Sequence, residues 1–64
     1  MQYYLSGMLI SSTTVRKLLR HNYKRIKNLK AGNTIWLHPQ WVQTATGINT
    51  QAYSTKLSLT ARAL

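Results

Sequence analysis

The chain has no aspartate and no glutamate among its 64 residues. Carboxylates are the usual general acids, general bases and hard-metal ligands, so their absence argues against an enzyme and against calcium or magnesium sites. There is also no cysteine, which excludes a disulfide framework and a thiolate zinc site. The two histidines, His21 and His38, have no acidic or thiol residue to complete a coordination sphere, so no metal and no cofactor is expected. Long apolar runs are missing too. "MLI" at 8–10 and "IWL" at 35–37 fall far short of the ~20 residues of a membrane span. The opening "MQYYLSGMLISS" lacks a basic segment ahead of its apolar residues, so no secretory signal is expected. A cytoplasmic setting, in a bacterium or in the host cell of a phage, is the expectation. A chain this short makes one small domain, which buries only about 60% of its unfolded surface.

What is present is positive charge: nine Lys and Arg, for a net +9. Ordinary soluble chains mix both signs. A field of one sign repels itself and opposes compaction, so it implies a polyanionic partner. The charge is concentrated. Arg16, Lys17, Arg20, Lys24, Arg25, Lys27 and Lys30 all fall within residues 16–30, whereas the last third of the chain holds only Lys56 and Arg62.

The periodicity predicts a small α+β fold. Residues 2–10 have apolar side chains at spacings 4/8 and 5/9, which suit a short helix, although "QYYL" also fits the start of a strand and Gly7 interrupts the pattern. "SSTT" at 11–14 offers helix caps. Val15, Leu18, Leu19 and Ile26 recur at helical spacing with the basic residues off their stripe, which predicts a helix over about 13–23. "RIKNLK" and "TIWLH" flank "AGN", which predicts a β-hairpin with a basic first strand and a turn at Gly32-Asn33. "HPQWVQTATG" places Pro39 just inside a start and Gly47 just past an end, the usual asymmetry of a helix. The tail is ambiguous. Tyr53, Leu57, Ala61 and Leu64 fit a helix face, whereas the odd positions 53–63 alternate as a strand would, and the expectation leans to helix or partial disorder.

The arrangement matches a small winged helix-turn-helix, two to three helices with a β-hairpin wing. Counted from Met1, the positions where two such helices meet hold Tyr4, Met8, Ile10, Val15 and Leu18, all apolar. Leu5 and Leu9 depart from the pattern, which usually has small residues there. The second helix of such a unit enters the major groove with its N-terminal residues toward the base edges. That assigns base reading to Ser12, Thr13, Arg16 and Lys17, with Arg16 able to fork onto guanine O6 and N7. Ser11, Arg20, Lys24 and Arg25 are then the phosphate contacts.

"TTVRKLLR", followed by "LKAGNTIWLHPQWV", resembles the phage excisionases, or recombination directionality factors, whose winged-helix fold is related to the MerR-type DNA-binding domain. Thr14, Val15 and Arg16 match the recognition helix, Lys30 and Gly32 the wing, and Trp36, Leu37, His38 and Trp41 the return strand and following helix. The resemblance spans about residues 4–42. It implies double-stranded DNA as partner, with integrase and neighbouring copies of the chain beside it. Binding would bend DNA near an attachment site and direct the integrase toward excision, with repression of a nearby promoter as a further role. Lys27, Lys30 and Asn33 would then reach the adjacent minor groove. On this reading residues 1–48 form the winged-helix domain and 49–64 a C-terminal tail or helix for subunit contacts.

Plainer readings stand beside these. The cationic helix face is an ordinary solvated face wherever acids neutralise it, but this chain has none. Trp36 and Trp41 are expected in the core, Tyr3, Tyr4 and Tyr23 at its edges, and His21 on the surface. A second segment, "TGINTQAY", mimics a helix-turn-helix turn, with Asn49, Thr50, Gln51 and Lys56 as its readers. Two other functions fit the composition: an RNA-binding or ribosome-associated basic protein, and a cationic membrane-active or inhibitory peptide using the amphipathic segment 13–29.

Overall fold

Ser6 and Gly7 both have positive φ, 50° and 83°. Two such residues in succession form the two-residue turn whose twist matches that of paired strands. They join strand β1, Gln2–Leu5, to strand β2, Met8–Leu9, with Leu5 opposite Met8. Residues 2–10 are therefore a hairpin and not the expected first helix. Helical spacing was present, but "YYL" is β-prone, and Ser-Gly is costly inside a helix and well suited to this turn. The computed structural model describes residues 1–50 and 55–64. Gln51 and Tyr53, on which parts of the tail expectations fall, lie outside the described residues.

Helix α1 runs Ser12–Lys27. Ser11 caps it, its Oγ accepting from the Thr14 backbone N–H at 3.2 Å. The expected 13–23 segment is its main body, since Asn22 departs from helical geometry (φ −149°, ψ 58°) and one further turn follows. That last turn holds Arg25 and Lys27, so the predicted basic strand at 25–30 is not formed. Leu29 is buried and plugs the base of the connection instead. Strand β3, Thr34–Leu37, is real, but its partner lies elsewhere. Helix α2, Pro39–Thr46, follows the expected bounds. His38 caps its start through Nδ1, which accepts from the Gln40 N–H at 3.2 Å. Gly47 ends it in the left-handed region (φ 77°), where a side chain would be strained.

Strand β4, Leu57–Arg62, completes an antiparallel sheet in the order β2-β1-β4-β3. The tail expected to be separate thus supplies a central strand, paired to β1 on one side and β3 on the other. The division at residue 48 does not hold, because residues 57–62 are part of the same sheet and core. The alternating pattern in the tail was the correct one: Leu57, Leu59 and Ala61 are buried, as period-2 burial requires. Among the described residues the chain is a small α+β unit of two helices and a four-stranded sheet, without the helix-turn-helix and hairpin wing expected.

One face of the sheet carries the core. Leu5, Leu37, Leu57, Leu59 and Ala61 pack with Leu18 and Ile26 of α1 and Val42 and Ala45 of α2, and Tyr3, Ile10, Leu19, Ile35 and Trp41 close the edges. The misfit of Leu5 to a helix-turn-helix is resolved: it is a core residue of a strand. Leu9 is exposed on the short edge strand β2, where no helix crossing demands a small residue. Thr50, the one buried polar residue among the described residues, donates from Oγ1 to the Pro39 carbonyl at 2.9 Å and ties the segment after α2 back to its start.

Candidate nucleic-acid interface

The packing of α1 decides what it displays. Leu18, Leu19 and Ile26 pack in the core and Val15 is half-buried, so residues three and four apart on the opposite side are left to solvent. Thr13, Arg16, Lys17 and Arg20 share that side; Lys24 and Lys27 lie in the turn beyond the kink at Asn22, and all six are exposed. Arg16–Arg20 is a like-charge pair at i, i+4 in the regular part of α1, which costs a helix about 0.2–0.5 kcal/mol. No acidic side chain in the sequence relieves it. The positive end of the helix dipole adds to this concentration of positive charge at Ser12 and Thr13.

The expected base-reading residues, Ser12, Thr13, Arg16 and Lys17, therefore come together on the exposed first turns of α1. Of the expected phosphate contacts, Arg20 and Lys24 are also exposed on α1, on either side of the kink at Asn22. The other two have structural work. The Ser11 hydroxyl accepts the Thr14 amide and pairs with Thr14 Oγ1 at 3.1 Å. Arg25 turns to the sheet, where Nη2 donates to the Trp36 carbonyl at 2.9 Å. The expected wing is dispersed. Lys27 belongs to the helix, with its ammonium 4.9 Å from the Tyr23 ring centre. A hydrogen bond with the Tyr23 side chain, reinforced by charge attraction, raises the lysine's pKa above its ordinary value. Lys30, Gly32 and Asn33 form the exposed connection between α1 and β3, where Gly32 N–H donates to the Ala61 carbonyl at 2.7 Å.

A second surface was not anticipated. Trp36, expected in the core, is 56% exposed on the sheet face turned away from the helices. Tyr4 shares that face, with the Arg62 guanidinium 5.3 Å from its ring centre. The alternation in "TIWL" held the signal, since Ile35 and Leu37 pointing inward forces Trp36 outward. Trp41 does pack against the core. Of the second helix-turn-helix reading, Thr50 is buried against α2 and Lys56 is exposed.

Among the described residues no cluster of potential metal ligands is found, and no helix is long and apolar enough to cross a membrane. No protein-family model, no curated protein and no solved structure matches the chain.

Proposed function

We propose that this protein binds double-stranded DNA by laying the cationic face of α1 along the major groove. The observation that carries the reading is the set of exposed cations on α1, Arg16, Lys17 and Arg20 before the kink at Asn22 and Lys24 and Lys27 after it, in a chain without an acidic side chain. A helix about 10–12 Å across with its side chains fits the major groove, which is about 12 Å wide. Arg16 and Lys17, with Ser12 and Thr13, lie toward the N-terminal end that addresses bases in such dockings, and Arg20 and Lys24 flank them toward phosphates. Among the described residues, α1 is presented by the sheet and α2 and is preceded by the β1–β2 hairpin rather than by a helix.

The excisionase role belongs to the same proposal and rests on the resemblance of "TTVRKLLR" and "LKAGNTIWLHPQWV". On that reading the chain binds repeated sites beside an attachment site, with neighbouring copies and an integrase, and does no chemistry itself. The membrane reading is weaker, because the apolar stripe of α1 is occupied by the protein's own core and lipid would meet only cations.

Binding to duplex DNA across a salt series tests the proposal. About three phosphate contacts, from Arg20, Lys24 and Lys27, give log K against log salt a slope near −2.7. Selection from random duplexes should yield a preferred site, and binding with no site preference would overturn the specific-regulator form of the proposal.

A further inference from the structure

The register places the outward side chains of the sheet in rows. Leu9, Tyr4, Thr60 and Thr34 stand side by side, with Ser58 and Trp36 in the next row and Gln2 and Arg62 on the other side. None of them is buried. The Thr34 and Thr60 hydroxyls are joined at 2.7 Å, which leaves a low floor of short side chains between two aromatic rings. Trp36 on β3 and Tyr4 on β1 are separated by one strand, so they stand about 10 Å apart across the sheet. Arg62 lies against the Tyr4 ring, and no acidic side chain stands on the face.

We propose that this open sheet face binds single-stranded nucleic acid, with bases stacking on Trp36 and on the Tyr4–Arg62 pair. Flat rings flanked by hydroxyls and a guanidinium suit unpaired bases, whose π-faces are free and whose stacking tolerates any sequence. The occupant must be anionic, because a net charge of +9 with no acid repels a second copy of the chain. Duplex DNA hides its base faces and has no use for the platform. The site stands independently of the α1 proposal, since helix and platform lie on opposite sides of the sheet.

The test uses the full chain at physiological salt with oligothymidylate and oligouridylate of about twelve nucleotides, within the range one such face spans. Both should quench tryptophan emission, and the tighter of the two distinguishes a DNA from an RNA strand. Trp36→Thr, which suits an edge strand, should lose about tenfold or more in affinity for both, while Trp36→Phe keeps most of it. Arg62→Ser is a second arm, with a several-fold loss expected. Duplex affinity should stay within twofold in all three variants, whereas Arg16→Gln with Arg20→Gln should weaken duplex binding far more than oligonucleotide binding. Unquenched emission at saturating oligonucleotide, or wild-type affinity in folded Trp36→Thr and Arg62→Ser, would overturn the proposal. So would concentration-dependent self-association that Trp36→Thr abolishes.

Discussion

Arg25 donates from Nη2 to the carbonyl oxygen of Trp36 at 2.9 Å, which ties the last turn of α1 to the edge strand β3. An edge strand leaves backbone groups without a ladder partner, and here a cation from the helix supplies one. Arg25→Ala should lower stability by about 1 kcal/mol, the worth of one such bond. It should leave the salt dependence of duplex binding unchanged. Urea denaturation and a salt titration check both. A slope shallower by about 1, with stability intact, would instead return Arg25 to the phosphate contacts.

On the proposed docking, Arg16 addresses base edges and Lys24, beyond the kink at Asn22, addresses phosphates. Arg16→Ala should cost about 1–3 kcal/mol at the preferred site and relax its specificity. Lys24→Ala should weaken binding to all duplexes alike. Competition between the selected site and unrelated DNA separates the two outcomes. Equal, sequence-independent losses would mean that Arg16 does not read bases.

Leu59 is fully buried in the central strand β4, opposite Leu5 and Ile35. Leu59→Ala should destabilise by about 2–5 kcal/mol, a large share of the stability of so small a domain. Removing residues 57–64 should unfold the chain, because β1 and β3 lose their shared neighbour. Circular dichroism on thermal unfolding reads both, and a cooperatively folded truncation would contradict the sheet order.

The turn between β1 and β2 requires positive φ at both Ser6 and Gly7. Gly7→Ala should cost about 1 kcal/mol, since an alanine there pays the left-handed penalty. Ser6→Asn should raise the melting temperature, because asparagine tolerates this region better and Asn-Gly favours such turns. If Ser6→Asn proves neutral and Gly7→Ala harmless, the hairpin is not held by this turn.

His38 caps α2 through a ring nitrogen. Aspartate is a better cap and also interacts favourably with the helix N-terminus. His38→Asp should stabilise the protein and His38→Ala should destabilise it by about 1 kcal/mol. Equal melting temperatures for the two variants would show that the cap contributes nothing.

How much of this was legible in advance differs by element. α2 was, because its start and stop signals are local: proline at the first turn, glycine in the left-handed region after the last. The exposed cationic face of α1 was, because an apolar stripe at helical spacing leaves its opposite side to water whatever it packs on. Residues 2–10 were not, since Tyr4, Met8 and Ile10 satisfy a helix template that ignores the Ser6-Gly7 turn. In the tail, spacings of four and of two were both present among residues 53–64, and only a partner on each side selects between them.

By itself, then, the sequence determined the charge, its concentration on α1, the lack of acid or thiol chemistry, and the local helix signals. These follow from side-chain type and short-range spacing. Tertiary structure decided what depends on distant partners. It paired β4 between β1 and β3, drew Arg25 away from the cationic row to an edge carbonyl, and turned Trp36 out onto an open sheet face. The physical reason is that a strand's hydrogen bonds, and the face it buries, are set by residues far away in the chain, whereas a helix closes its own.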